Sequence, residues 1–313
     1  MTHDRAPGVC CLGEAVLDLV PTGDRDGALR PVLAGGAFTA SVALARLGLT
    51  AAFGGCLSED LWGDRMMTRL REEGVDTAFV RRVGGPSTLA VVSVAEDGQP
   101  TFSLYTADTA GIALEPADLV EPIRRGWVLH VGGVALAVDP SATTLHRAVV
   151  DAPEGIVTFV DPNVRPGVIQ DMDRQRRRLM EMMGAATIVK ASDADLDLLH
   201  PGIDPAHVAR DLVAAGAGMV VVTRGERGAL AVTRTANAAV DAPRVEVVDT
   251  VGAGDSFGAG VLAWLAEHDR LTVDGITALD ASSLEACLGF AARVGALACT
   301  RVGANPPRRI ELD

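Results

Sequence analysis

From Trp127 onward the chain alternates short apolar runs with helical patterns, and this alternation constrains the fold more than any other feature. The runs are "WVLHVGG", "GIVTFVDPN", "ATIVKAS" and "GMVVVTRG", and helical patterns begin at Ser141, at Asp171 and after Asp193. Apolar strands that alternate with helices form a parallel sheet covered on both faces. We therefore predict an α/β fold whose functional site lies at the carboxyl ends of the strands.

Two segments before residue 127 do not follow this alternation. The first, at about 15–33, contains "EAVLDLVP" and "LRPVL" around a polar turn, and the second, at about 87–106, contains two strands joined through Asp97-Gly98. An Asp-Gly pair between short strands is a strong hairpin signal. We expect one domain over residues 1–313, with these two segments forming a small attached sheet that is a candidate lid.

Charge and cysteine usage exclude several classes of protein. The net charge of −13 argues against nucleic-acid or anionic-membrane partners, which are bound through clusters of Lys and Arg. The five cysteines are odd in number and form no Cys-x-x-Cys pair, which indicates reduced thiols. The N-terminus has no pattern of an export signal, and no apolar run reaches about 18 residues. We expect a cytoplasmic protein that does not span a membrane.

The lysine count narrows the possible phosphate sites. Lysine occurs once, at Lys190. A Walker A loop and the lysine-bearing strand of protein kinases both require a lysine inside a specific motif, and neither motif is present. Any phosphate bound by this chain is therefore expected to be held mainly by backbone amides.

The segment "VEVVDTVGAGDSFGAG", residues 245–260, is the strongest candidate for such a site. A strand is predicted before it and a helix after it, so Gly252 to Asp255 open the helix. The N–H groups of Gly252, Ala253 and Gly254, together with the positive end of the helix dipole, form an anion site. Asp255 in the same turn is either a helix N-cap or an acid that takes part in chemistry.

Two other motifs can be tested on this turn. Residues 254–258 read G-x-S-x-G, the nucleophile elbow of α/β-hydrolases, but the one histidine after Ser256, His268, is predicted at the end of the same helix and cannot fold back. A dinucleotide fingerprint is excluded because about 60 residues follow Gly252, too few for a domain built from βαβ units.

The same turn resembles the C-terminal signature of the PfkB, or ribokinase-like, carbohydrate kinases. A second resemblance, "AGGAFTASVALARLG" at 34–48, matches the N-terminal Gly-Gly segment of that family, and shorter matches extend over nearly the whole chain. The resemblance implies a three-layer α/β/α fold with a mainly parallel sheet and a small β-sheet lid. It also implies ATP-dependent phosphorylation of a sugar hydroxyl, with ATP and Mg²⁺ as cofactors.

The resemblance and the turn together imply a role for each site residue. Asp255 would accept the proton of the attacking hydroxyl, and Arg165 in "DPNVRP" would steady an anionic group. The expected sugar contacts are Asp18, Gly35, Gly36, Thr39, Tyr105, Asn163, Arg165 and Asp255. The expected nucleotide contacts are Lys190, Ser192, Thr223, Gly225, Gly228, Gly252 and Gly254. The expected metal positions are Asp195 for Mg²⁺ through water, and Asp249, Val251 and Gly303 for K⁺.

Two positions depart from the family pattern. The asparagine usual in the Gly-Gly segment is Thr39, which removes an amide able to donate and accept. The family's Asn-x-x-Glu is here Ser192-x-x-Asp195, which is shorter on both sides, and Ser192 also fits a helix N-cap.

Several alternatives remain open at this point. The motif style is closest to fructokinases and 2-keto-3-deoxygluconate kinases, so fructose or a related ketose is the first expectation and a sugar acid the second. Lys190 at the end of an apolar strand also fits a Schiff-base aldolase built on a barrel. A sugar-binding regulator without catalysis fits the two departures. An exposed edge of the lid could pair with a second copy to give a homodimer.

Overall fold

The computed structural model describes residues 8–22, 27–94 and 100–312. The strands are β1 (Val9–Leu12), β2 (Val16–Pro21), β3 (Leu29–Ala34), β4 (Ala51–Gly54), β5 (Cys56–Ser58), β6 (Arg81–Val83), β7 (Thr88–Val94), β8 (Pro100–Tyr105), β9 (Val128–Gly132), β10 (Thr158–Asp161), β11 (Ile188–Ser192), β12 (Met219–Thr223), β13 (Ala229–Thr233) and β14 (Asn237–Val240). The helices are α1 (Gly36–Arg46), α2 (Leu61–Glu72), α3 (Val120–Arg124), α4 (Ser141–Val150), α5 (Met172–Ala185), α6 (Asp193–Leu199), α7 (Pro205–Ala215), α8 (Ala253–Glu267), α9 (Val273–Thr277) and α10 (Ala281–Cys299).

The central sheet has eight strands in the order β14-β13-β12-β11-β10-β9-β1-β4. The six strands from β4 to β12 pair in parallel, and β13 and β14 extend one edge in antiparallel fashion. The predicted mainly parallel α/β sheet is confirmed. Because this sheet is open at β14 and β4, it is not the closed barrel that the aldolase alternative requires.

Helices cover both faces of the sheet, as predicted. Neighbouring residues of one strand point to opposite faces, so Phe159 packs into the core beneath α1, α8 and α10, whereas Val160 packs into the core beneath α4, α5 and α7. Strands buried on both faces are typical of parallel sheets and explain why the sequence runs are continuously apolar.

Helix α10 is long and apolar enough to span a bilayer by length and composition, the one such helix in the described residues. It packs along α8, and Leu284, Leu288 and Val294 are buried in the core. Its hydropathy is therefore explained by its place in the helix layer.

A second sheet of four strands, in the order β3-β2-β7-β8, stands apart from the central sheet. β2 and β3 form one antiparallel hairpin, β7 and β8 form another, and β2 pairs with β7 in parallel. Its strands lie in the two segments, at about 15–33 and 87–106, for which the sequence predicts a small attached sheet. The predicted turn at Asp97-Gly98 lies outside the described residues.

The prediction of a strand directly before Gly252 is wrong. Residues 245–249 pair with no strand in the part of the chain that the structure describes. The amides of Val248 and Asp249 instead donate to the carbonyl oxygen of Cys299 at the end of α10 (2.8 and 3.1 Å). Val247 and Val248 are 60% and 55% exposed, so this alternating segment is a connection that α10 anchors.

Candidate active site

The site forms where the carboxyl ends of β10 and β11 meet the first turn of α8. Asp161, the last residue of β10, is in register with Gly132 of β9. Val160 pairs with Val189 of β11, so Lys190, the next residue of β11, lies beside Asp161. A side chain on Gly254 would touch the Lys190 ammonium, because a Cβ built there lies 2.8 Å from Nζ. The start of α8 therefore sits directly on these two strand ends.

The turn before α8 requires glycine at position 252. Gly252 has φ of 77°, and a Cβ there would lie 3.1 Å from Ala304 Cα. No side chain caps α8. Among the described residues the amides of Gly252, Gly254 and Asp255 form no backbone hydrogen bond, whereas Ala253 donates to Thr250 O (3.2 Å). The amide of Asp255 is thus a free donor that the sequence did not predict, whereas the amide of Ala253, which was predicted as a donor, is already hydrogen-bonded.

Ser256 is excluded as a hydrolase nucleophile. Its side chain is fully buried, and its hydroxyl donates to Gly252 O at 2.7 Å. This bond holds the carbonyl of the N-cap residue, so Ser256 stabilises the turn.

Asp255 lies in the first turn of α8, among charged groups from several elements. Burial, and next the Asp161 carboxylate, raise the pKa of Asp255 to about 7, against the opposing charges of Lys190 and Arg165. A carboxylate with a pKa near neutral is suited to accept a proton in the working pH range. Its side chain forms no N-cap hydrogen bond, so simple capping does not account for it.

Lys190 and Asp161 form an ion pair away from solvent. Lys190 Nζ donates to Asp161 Oδ2 at 2.8 Å, and the two side chains are 6% and 5% exposed. Burial alone would lower the pKa of Lys190, but the Asp161 carboxylate outweighs it and the pKa is raised. Lys190 is thus held as an ammonium, whereas a Schiff-base lysine must lose its proton. Lys190 is thus a buried cation behind the first turn of α8, and its predicted contact with a nucleotide stays a prediction.

We predict that Lys190→Met destabilises the protein by about 3–5 kcal/mol, because it leaves the Asp161 carboxylate buried without its partner. Adding Asp161→Asn should recover part of this loss, since a neutral amide needs no counterion. Urea unfolding at pH 8 measures both. A loss below about 1 kcal/mol in the single variant would show that the pair is solvated.

The three positions expected to hold K⁺ lie together. Asp249 accepts hydrogen bonds from Val251 N (3.0 Å) and Gly303 N (2.8 Å). The segment after Gly303 is fixed by Arg46, which donates to Asn305 Oδ1 (2.7 Å) and pairs with Glu73 (2.7 Å). No cluster of three or more His, Cys, Asp or Glu suited to a metal occurs within the described ranges. A cation here would depend on Asp249 and on backbone carbonyls.

Asp195 has a structural role that the sequence did not show. Its Oδ2 accepts from Ser192 N and Oγ (3.0 and 2.6 Å), and its Oδ1 accepts from Val164 N (2.8 Å). Ser192 in turn caps α6, as predicted. Three accepted bonds leave this carboxylate little capacity for a metal. Asp195 instead ties the loop after β10 to α6.

That loop carries Asn163 and Arg165. Asn163 has φ of 39°, a conformation that asparagine tolerates better than most residues. Arg165 is exposed and forms no ion pair within the described residues, and its charge lowers the pKa of Asp255. A surface salt bridge therefore does not explain Arg165, which is available to an anionic group near Asp255.

Asp18 on β2 is buried, not solvated. It is 6% exposed, and burial, together with Asp249 and Glu14, raises its pKa to about 7. Tyr105 of β8 does not share its face. Asp18 is in register with Ala90, and Ala90 with Leu104, so Tyr105 points to the other face of the small sheet. Tyr105 is also 59% exposed, and its predicted contact with the sugar, which would not be on the face of Asp18, stays a prediction.

The Gly-Gly segment is packed against the connection from β1 to β2. Gly35 has φ of 111°, and a Cβ there would lie 2.7 Å from Glu14 O. The amide of Gly36 donates to the Glu14 carboxylate. Glu14 was not predicted as a site residue, although an acid just after an apolar run was a usable signal. Thr39 is buried one turn later, with Cγ2 against the Gly252 position.

The turn after β12 lies beside the start of α6. Thr223 is in register with Ser192 across β11 and β12, and Arg227 pairs with Asp193 at 2.5 Å. Gly228 is required by packing, since a Cβ there would lie 1.9 Å from Val240 O, whereas Gly225 faces open space. Thr223 and Gly225 are therefore the positions of this turn that remain accessible to a ligand.

Comparisons with known proteins bear on this geometry. The model of the "pfkB family carbohydrate kinase" matches residues 6–310. The chain belongs to this family. It is a sugar kinase, a phosphotransferase with an alcohol group as acceptor.

Individual relatives of this PfkB protein are fructokinases. It is 34% identical to a fructokinase of Rhizobium leguminosarum bv. trifolii over 278 residues, 88% of this chain and 85% of the relative. The structure resembles that of a fructokinase with bound ATP from Xylella fastidiosa (TM-score 0.89, 28% identity, 97% of each chain). It also resembles a double mutant of a fructokinase from Vibrio cholerae O395 in a fructose, ADP and potassium ion bound form (TM-score 0.83, 27% identity, 99% of this chain and 98% of the other).

Proposed function

We propose that this PfkB protein is an ATP-dependent fructokinase. The observation that carries the proposal is the first turn of α8, where uncapped amides and an acid with a pKa near 7 occupy one site. The named relatives support fructose as the acceptor and ATP as the donor.

In the proposed reaction the oxygen of a fructose hydroxyl attacks the γ-phosphorus of ATP. The hydroxyl proton passes to the Asp255 carboxylate, the bond from the γ-phosphorus to the bridging oxygen breaks, and ADP leaves. The amides of Gly252, Gly254 and Asp255, with the Lys190 ammonium behind them, stabilise negative charge on the transferring group. Thr223 and Gly225 lie on the nucleotide side, and Asp18, Asn163 and the Gly-Gly segment on the sugar side.

Two metal ions form part of the proposal. Mg²⁺ would supply countercharge for the ATP phosphates, and Asp195 would reach it only through water. K⁺ would be held by Asp249 with the backbone of Val251 and Gly303, and the charge of such an ion would favour the anionic group at the adjacent turn. The hydrogen bonds that bring these three residues together support this position.

The small sheet is proposed to act as a lid. It carries Asp18, so closure would bring this carboxylate onto the sugar and exclude water that competes for the phosphoryl group. Leu29 and Tyr105 are 42% and 59% exposed on the opposite face, where a second copy could pack as a homodimer. We also propose a reducing, cytoplasmic location, in keeping with five free cysteines, four of them buried.

A sugar acid is the second candidate acceptor. Arg165 lies near Asp255 without an ion-pair partner in the described chain, and a guanidinium can bind a carboxylate through paired N–H bonds. ADP release measured with fructose, ribose, 2-keto-3-deoxygluconate, tagatose 6-phosphate and nucleosides tests the proposal. Fructose should give the highest kcat/KM, and a higher value with the sugar acid would favour the second candidate. No stimulation by any sugar would favour the non-catalytic regulator.

Turnover is expected to depend on pH through Asp255. The raised pKa means that the carboxyl is protonated below about 7 and cannot accept a proton there. We predict that kcat/KM rises about tenfold per pH unit as the pH approaches 7 from below, and levels off above it. Initial rates between pH 5.5 and 9, with enzyme shown to be stable at each pH, measure this. A flat profile across that range would exclude Asp255 as the titrating base.

A further inference from the structure

Glu14 is a buried acid with no cation partner among the residues that the structure describes. It lies two residues after the end of β1 and is 1% exposed. Its Oε1 accepts from Gly36 N at 3.1 Å, and its Oε2 accepts from Ala135 N at 2.9 Å. No lysine or arginine pairs with it within the described residues, although buried carboxylates are normally paired. The carboxylate thus joins the start of α1 to the turn after β9.

Two backbones close tightly around this carboxylate. A Cβ on Gly133, whose φ is 83°, would lie 2.1 Å from Glu14 Oε1. On the other side, a Cβ on Gly36 would lie 3.6 Å from Glu14 Oε1, whereas a Cβ on Gly35 would meet the main-chain oxygen of Glu14 at 2.7 Å. Glycine at position 133 is therefore required by the Glu14 carboxylate, and the same carboxylate holds the Gly-Gly segment through the Gly36 amide.

The Glu14 charge also reaches the residues proposed for the chemistry. It raises the pKa of Asp18 on β2 and of Asp255 on α8. The other groups acting on Asp255 are Asp161 of β10, Lys190 of β11 and Arg165 of the loop after β10, while Asp255 in turn acts on the Cys11 thiol of β1. Glu14 thus acts electrostatically on both the sugar-side carboxylate, Asp18, and the base-side carboxylate, Asp255.

We propose that Glu14 is a positioning residue of the acceptor site: it fastens the Gly-Gly backbone against which the sugar binds, and its charge acts on the base. The inference rests on the proposed kinase function and deepens it. Glu14 needs no contact with the substrate for this role, because it acts through Gly36 and through its electrostatic effect on Asp255.

Two substitutions separate geometry from charge. Glu14→Gln keeps the shape but removes the charge, and its NH₂ group faces an N–H donor, so one hydrogen bond is lost. Glu14→Asp keeps the charge but is one methylene shorter, so it cannot reach both amides. We expect each to raise the KM for the acceptor sugar about tenfold or more while the KM for ATP changes less than about twofold. Only Glu14→Gln should move the acid limb of kcat/KM to lower pH.

Asp60→Asn is the matched control. Asp60 also accepts hydrogen bonds from backbone amides, those of Trp62, Gly63 and Ser87, but it caps α2. Its substitution should lower the Tm without changing either the sugar KM or the pH profile. This separates a general loss of stability from an effect on the acceptor site.

The results decide the inference in either direction. A folded Glu14→Gln variant with the wild-type sugar KM and an unshifted acid limb would overturn it. If Glu14→Gln does not fold, the sugar KM of Glu14→Asp decides alone, and an unchanged value overturns the inference. Wild-type enzyme is first assayed with the full set of sugars. The variants are then assayed with the sugar that the wild-type enzyme phosphorylates with the highest kcat/KM. Failure with fructose therefore counts against the proposed acceptor and leaves the Glu14 comparison intact.

Discussion

Asp255→Asn is expected to lower kcat about 10²–10⁴-fold, the usual contribution of a positioned general base. Binding of ATP should change by less than about threefold, because the backbone amides of the turn remain in place. Initial rates of ADP release give kcat, and calorimetry gives the Kd for ATP. A variant that keeps near-wild-type kcat would show that another group accepts the proton.

The same substitution should not lower stability. Since folding raises the pKa of Asp255 from 3.8 to about 7, the folded state binds more protons than the unfolded state between these values. The contribution of this carboxyl to the free energy of unfolding therefore falls as the pH rises through that window. At pH 8 the asparagine avoids the burial of a charge, and we expect an equal or higher Tm. Asp274→Asn, in the exposed first turn of α9, is the control and should change neither kcat nor Tm.

Gly252→Ala is expected to lower kcat/KM about 10²–10³-fold, the loss that follows removal of one donor from an oxyanion hole. A Cβ at this position meets Ala304 at 3.1 Å and Thr39 Cγ2 at 3.2 Å, so either the turn or the segment after Gly303 must shift. The φ of 77° adds a further cost of about 1–2 kcal/mol for any residue with a Cβ. Steady-state kinetics and urea unfolding measure the two effects separately.

Gly202→Ala separates backbone strain from loss of the anion site. Gly202 has nearly the same φ, 75°, and a Cβ there meets no atom within 4 Å. It lies between α6 and α7, so its substitution should cost a similar strain energy and leave kcat/KM unchanged. Equal kinetic losses in the two variants would mean that the turn at Gly252 has no specific part in catalysis.

The fold was predictable because the elements follow local rules. Strands buried on both faces must be apolar throughout, and the helices between them begin at residues suited to capping, as Asp171 and Ser192 do. The strand prediction at 245–249 was wrong for the same reason: its alternation is locally that of a strand, yet the amides of Val248 and Asp249 bond to the end of α10 and not to a neighbouring strand. Whether a segment pairs as a strand depends on its neighbours in the sheet, and the sequence of that segment alone does not show this.

The site was predictable where a residue's role depends on the main chain near it. Gly252, Gly254 and Asp255 lie in one turn, and their spacing in the sequence already describes a helix start. That Tyr105 and Asp18 lie on opposite faces of the small sheet could not be predicted, because the face of a strand residue depends on the register with a neighbouring strand. The structural role of Asp195 could not be predicted, because its bond to the amide of Val164 joins residues 31 positions apart in the chain.

The sequence by itself determined the family, the layer order of the α/β sheet and the glycine-rich start of α8, since each depends on residues close together in the chain. Only the tertiary structure decided the electrostatics. The pairing of Lys190 with Asp161, the neutral-range pKa of Asp255 and the placement of Glu14 between two backbones all join residues far apart in the chain. The energy of a charged group depends on its burial and on its distances to other charges, and both are fixed only when distant segments pack together.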